Sequence, residues 1–201
     1  RPPWREEAIP DQWETIHDGG DLLVINKPAG LPVMPGGGFL LHTLTALLKP
    51  TGARPVHRLG RFTSGLQVCA RDPMTRASLS KQFRPEGSCK KVYQAWAQRV
   101  PGLEQGQALT VTSDVVERQH PLLGWVWGPE PLKQEPIRKR LTALSELELL
   151  ERTAEGDRLR VTITTGRPHQ IRIHLAQLGS PLLGDPLYLL NREISATATP
   201  G

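Results

Sequence analysis

The sequence predicts an α+β fold built on a largely antiparallel sheet. Stretches 91–100, 143–152 and 158–165 alternate apolar and polar residues, the period of a half-buried strand. Strands come in runs rather than each being followed by its own helix. Only short segments carry the helical period between them. With 201 residues the chain is long enough to bury a core without staples. Cys69 and Cys89 are its two cysteines, which excludes a disulfide scaffold and a four-cysteine zinc site.

Residues 1–11 are rich in Pro and Glu, and 1–20 read as an N-terminal arm before a domain spanning 21–201. Leu22-Leu23-Val24-Ile25-Asn26 forms a short strand that Lys27-Pro28-Ala29-Gly30 stops. Gly36-Gly37-Gly38 lacks the Lys-Ser/Thr of a phosphate loop and reads as flexible. Residues 40–48 predict a short apolar helix ended by Pro50 and Gly52, and 65–70 another strand. Asp72-Pro73 supplies an N-cap and a first-turn proline for a helix to about Phe83. In 91–100, Val92, Gln94 and Trp96 share one face, and Tyr93, Ala95 and Ala97 the other. Residues 101–140, punctuated by Gly and Pro, read as strands and loops inserted between two better-formed halves. Glu155-Gly156-Asp157 turns a hairpin between 143–152 and 158–165. Ile171, Leu175 and Leu178 then fall on one helical face, with Gly179 at the end.

The net charge is +5, but residues 54–99 alone hold ten Lys/Arg against Asp72 and Glu86, a local balance of +8. Such a segment raises the local concentration of phosphates and suits a polyanion partner. No apolar run approaches the ~18 residues of a membrane span, and no charged-then-apolar leader follows Arg1. Cysteine usage and the missing leader predict a cytoplasmic setting, or an organellar one if a targeting segment has been trimmed. His169 and His174, five apart, point away from each other on a helix and have no accompanying carboxylate, so no metal site is expected. Thr63-Ser64-Gly65 lacks the Gly-x-Ser-x-Gly elbow of serine hydrolases.

Three segments carry Arg or Lys beside apolar elements: His57-Arg58-Leu59-Gly60-Arg61, Lys90-Lys91-Val92-Tyr93-Gln94-Ala95, and Thr165-Gly166-Arg167-Pro168-His169-Gln170-Ile171-Arg172-Ile173-His174. Together they suggest one cleft, because the guanidinium fork pairs phosphate and stacks on bases. In these motifs, from residue 22 to residue 188, the chain resembles RNA pseudouridine synthases of the RluA type, which isomerise uridine to pseudouridine. The resemblance implies a mixed, mostly antiparallel sheet around a central RNA-binding cleft. It also implies a site that needs neither metal nor organic cofactor, and an RNA partner, tRNA or rRNA. In that family an aspartate attacks the flipped-out uridine, the glycosidic bond breaks, and the uracil turns and rejoins through carbon.

Residue by residue, Tyr93 takes the position of the family tyrosine, and Arg172 that of the arginine that pairs with the aspartate. Arg58 takes that of a residue filling the space of the flipped base. His57, Arg61, Lys91, Arg167 and His169 would contact RNA. The family motif reads His-Arg-Leu-Asp, whereas this chain has Gly60 at the nucleophile position. Arg172 would therefore lack its ion-pair partner; Asp185 reads as structural and Asp72 as an N-cap. Because the match starts near residue 22, no room is expected for the RNA-binding S4-type domain that precedes the catalytic domain in many relatives. Its end near Tyr188 suggests a C-terminus short of further family strands.

Overall fold

The computed structural model describes residues 4–85 and 87–197. The chain forms two compact units, one up to Gly87 and one from Ser88, where the sequence suggested one domain after an arm.

In the first unit, β1 (Glu14–Gly19), β2 (Leu22–Lys27), β3 (Arg54–Pro55) and β4 (Gly65–Ala70) form an antiparallel sheet in the order β1-β2-β4-β3. Strand β1 falls inside the expected arm. All six of its residues are exposed, so it shows no apolar alternation for a sequence reading to detect. In β2, Leu23, Ile25 and Lys27 face inward. The helix expected over 40–48 is a single turn, α1 (Leu44–Leu47), which Thr43 caps by accepting the Ala46 N–H; a 3-10 turn over Lys49–Thr51 follows. The triple glycine, read as flexible, is a closed turn: Gly36 and Phe39 exchange both backbone hydrogen bonds, at 2.9 and 3.0 Å. Helix α2 (Pro73–Gln82) starts as its sequence dictates, with Asp72 accepting the Thr75 N–H at 2.7 Å.

In the second unit, β5 (Lys91–Ala97), β6 (Ala108–His120), β7 (Gly124–Pro129), β8 (Ile137–Arg152) and β9 (Asp157–Ile163) form an antiparallel sheet in the order β5-β9-β8-β6-β7. Residues 101–140 are thus no insertion. The 13-residue β6 and 16-residue β8 pair along nearly their whole length. Asp157, expected in a turn, opens β9 fully buried; both of its oxygens take Arg152, and one also takes the Val100 N–H. Helix α3 (Gln170–Gln177) packs on two apolar clusters at once. Leu175 joins Leu147, Leu149, Leu159 and Val161, while Ile173 and Ala176 join Val115, Ala143, Leu187 and Tyr188. Each buried aliphatic side chain of this kind contributes about 1.5–3 kcal/mol. That burial fixes α3, and with it the last of the three motifs.

Candidate active site

The first motif is the loop between β3 and β4 in the first unit, and buried polar side chains hold it from below. Gln67, on the inward face of β4, donates to the His57 carbonyl at 2.7 Å and accepts the Leu59 N–H at 3.3 Å. The His57 Nε2 accepts the Val68 N–H at 3.1 Å, and the ring stacks on Phe83 with centroids 4.2 Å apart. Lys27 is fully buried and donates to the carbonyls of Pro28, Leu31 and Arg61 at 2.8, 2.9 and 3.1 Å. Burial pushes its ammonium down to about 8. Gly30 also donates its N–H to the Arg61 carbonyl, at 2.8 Å.

Gly60 is exposed at the head of a turn in which its carbonyl accepts the Thr63 N–H at 3.1 Å. It is not among the glycines with positive φ, and a β-carbon there would meet only the Thr63 Oγ1, at 3.3 Å. A side chain at this position therefore needs a small shift of one hydroxyl and no backbone strain. Arg58 is exposed beside it. The Arg61 guanidinium lies 4.4 Å from the centre of the Phe39 ring and 5.0 Å from that of Phe62, and pairs with Glu7 at 2.8 Å.

The other two motifs lie in the second unit. Tyr93, on β5, is half-buried against the core; burial, and next Cys89, raise its hydroxyl pKa. The Lys91 Nζ passes 3.4 Å from where a β-carbon on Gly166 would stand, and Gly166 also has φ of 62°. That contact is an ordinary one at the end of a flexible side chain, so the positive φ is the reason for glycine at 166.

At the start of α3, buried Gln170 accepts from the Arg167 N–H and the Thr165 hydroxyl, and donates to the Leu144 carbonyl and the Ser145 hydroxyl. The Arg167 Nε donates to the Thr142 carbonyl at 3.1 Å. His169 adopts φ of 51°, and its Nδ1 lies 2.6 Å from the Tyr188 hydroxyl, which donates to the Trp127 carbonyl at 2.7 Å. The hydroxyl proton is committed to Trp127, so Nδ1 carries the proton it donates to Tyr188.

Arg172 does not lack a partner. Its Nε and Nη2 each lie 2.7 Å from an oxygen of Asp185, and its guanidinium sits 4.7 Å from the centre of the Tyr188 ring. Asp185 also accepts the N–H groups of Leu187 and Tyr188. Burial would raise the Asp185 pKa, but the Arg172 contacts outweigh it and hold the carboxyl below its ordinary value. The expectation of an unpaired Arg172 failed because Asp185 lies on the loop beyond α3, where sequence spacing does not reveal a fork geometry.

His174, unlike His169, is fully buried, and burial lowers its pKa to about 4. Among the described residues, no group of three or more His, Cys, Asp or Glu is arranged to hold a metal, and no helix is long and apolar enough to cross a membrane. The sequence reading missed Lys27 and Gln67 as supports of the first motif, although both are polar residues on the inward parity of an apolar strand.

Comparison with known proteins agrees with these motifs. The family model described as RNA pseudouridylate synthase matches residues 21–177. The chain is 40% identical over 192 residues to an uncharacterized RNA pseudouridine synthase of Synechocystis sp., covering 94% of this chain and 62% of the relative. It is 32% identical to the tRNA pseudouridine(31) synthase of Saccharomyces cerevisiae, covering 86% of this chain and 45% of the relative. The chain spans 45–62% of the length of these curated relatives. Among solved structures, human RNA Pseudouridylate Synthase Domain Containing 4 matches with a TM-score of 0.66 at 26% identity, over 87% of this chain and 68% of that one. Motifs, architecture and family match converge: the chain belongs to the RNA pseudouridylate synthase family, in its RluA type.

Proposed function

We propose that this chain binds tRNA or rRNA and holds a uridine for isomerisation to pseudouridine, with Gly60 at the position of the attacking aspartate. The family match over residues 21–177 carries the reading. Relatives named as a tRNA pseudouridine(31) synthase and as ribosomal large subunit pseudouridine synthase D supply the substrate class. In this reading the Tyr93 ring stacks on the flipped uracil and its hydroxyl takes part in proton transfer. Arg172, oriented by Asp185, serves the reacting nucleotide. Arg58, His57, Arg61, Lys91, Arg167 and His169 contact the RNA. The reaction breaks the N1–C1′ bond and forms a C5–C1′ bond; the proton on C5 leaves to solvent and N1 takes one up, so the product is an isomer of the substrate. Its setting is the cytoplasm, or an organelle if the chain is imported.

Gly60 supplies no carboxylate to attack, and this one residue favours a second reading, an RNA-binding relative without turnover. The two are separated by tritium release from RNA labelled at uridine C5, measured on wild type and Gly60→Asp side by side. Losing a nucleophile costs about 10⁶-fold in a well-studied hydrolase, so even partial restoration should raise release by about 10²-fold or more. A Gly60→Asp protein that folds and binds RNA yet, like the wild type, releases no tritium decides for the binding-only reading. An active wild type would mean that another carboxylate attacks.

A further inference from the structure

Residues 4–10, outside any helix or strand, attach to the first unit mainly through two carboxylates. The Glu6 carboxylate accepts three successive backbone N–H groups, from Leu40, Leu41 and His42, at 2.8–3.0 Å. Consecutive N–H groups converging on one anion make the kind of concavity that also holds phosphate. Burial would raise the Glu6 pKa, but these N–H groups lower it, as expected for a carboxylate held in its charged form. Glu7 places Oε2 2.8 Å from the Arg61 Nη2, and its carbonyl accepts from the His42 Nδ1 at 2.5 Å. Trp4 completes the attachment by donating to the Gly38 carbonyl at 2.6 Å. A guanidinium and a row of backbone amides, the groups these carboxylates occupy, are both donors that hold nucleic-acid phosphates.

We infer that this acidic segment is an internal polyanion mimic, occupying phosphate-binding positions on the first unit and giving them up when RNA binds. The inference rests on the RNA-binding reading above, in which Arg61 contacts RNA. The hold is weak enough to yield. The Arg61 side chain is 19% exposed, but that of Glu7 is 73% exposed and Trp4 48%, so the acidic end of the pair stays open to water and to screening by salt. The contact is also open to a ligand, bordered by a groove of about 750 Å³ along Trp4, Leu41 and His42. A nucleic acid brings several phosphates at once and releases counterions on binding, an advantage two tethered carboxylates lack. The strap therefore sets a threshold, because RNA must displace Glu7 to reach Arg61.

The test is the affinity of a labelled, uridine-containing stem-loop RNA, read by fluorescence anisotropy at fixed salt. The proteins are wild type, Glu6→Gln/Glu7→Gln and Asp11→Asn, the last removing a charge just beyond the segment, where Asp11 accepts from the Gln12 side chain. The double variant should bind roughly three- to tenfold tighter than wild type, while Asp11→Asn should stay close to wild type. Deleting residues 1–11 should reproduce the gain without relying on the substitutions. In an Arg61→Gln background, adding Glu7→Gln should bring no further gain, because the contact it frees is gone. Equal affinities of wild type and the double variant, or a gain that Asp11→Asn matches, overturns the strap while leaving the RNA reading intact. No RNA binding by any variant overturns the RNA reading and the strap together. A silent wild type beside a binding double variant supports the strap.

Discussion

Lys27 places an ammonium among three carbonyls and, among the described residues, pairs with no carboxylate, so neutral acceptors offset its burial. Its pKa near 8, against an ordinary value of 10.5, fixes a sign. Between those values the folded state binds fewer protons than the unfolded one, so this group's share of stability rises with pH across that window. Cys69 acts the other way, since burial pushes its thiol from 9.0 up to about 12 and costs stability as pH climbs through that range. Comparing wild type with Lys27→Met cancels the Cys69 contribution. The difference in unfolding free energy, wild type minus variant, should grow by about 1 kcal/mol from pH 8 to pH 9 in denaturant titrations. A difference that stays flat would show that Lys27 keeps its charge throughout. The residue was visible in the sequence only as the stop of a strand; its cage comes from loops at 28–31 and 61, one of them 34 positions away.

The loop bearing Gly60 gets its shape from Gln67 more than from its own residues. Removing that amide leaves the Leu59 N–H and the His57 carbonyl without their partner. Gln67→Leu should therefore destabilise the protein by about 1–3 kcal/mol. It should also speed hydrogen exchange at the Leu59 amide more than at the β2–β4 ladder, and equal acceleration at both would deny the loop its dependence on Gln67. Elements with local signals were legible in advance: the Asp72-Pro73 start of α2, the β8–β9 hairpin, and β4 to the residue. The β6–β8 ladder was not, because its pairs join residues far apart, such as Ala108 with Glu148. The glycines and prolines that punctuate 101–140 made that stretch read as inserted strands and loops. The site motifs were readable because their residue types are unusual in combination. The partners that orient them, Asp185 for Arg172 and Tyr188 for His169, become visible only once the chain after α3 has folded back.

At the scale of the molecule, charge is distributed by segment: residues 54–99 carry +8 of a net +5, so the rest is acidic on balance. Many of the second unit's arginines are already engaged, Arg138 with Glu117, Arg140 with Asp114 and Glu130, Arg152 with Asp157, Arg158 with Glu151 and Arg160 with Glu148. Those pairs leave little positive field for a ligand. RNA binding should then rest on the 54–99 segment together with Arg167, since Arg172 is paired with Asp185. Some four to six phosphate contacts give a log–log salt slope of about −3 to −4 for single-strand-like sites. Filter binding from low to moderate salt should show that steepness, and a flat response would contradict nucleic-acid binding altogether.

The two thiols differ in a way that makes the protein its own reporter. Cys69 is sealed in β4 and stays protonated, whereas Cys89 is partly open to solvent and close enough to Tyr93 to raise its pKa. Alkylating reagents need both access and a thiolate, so a fluorescent maleimide at neutral pH should find Cys89 and pass over Cys69. A dye would then stand beside Tyr93, the tyrosine proposed to stack on the uracil, with no engineered cysteine and no native one to remove.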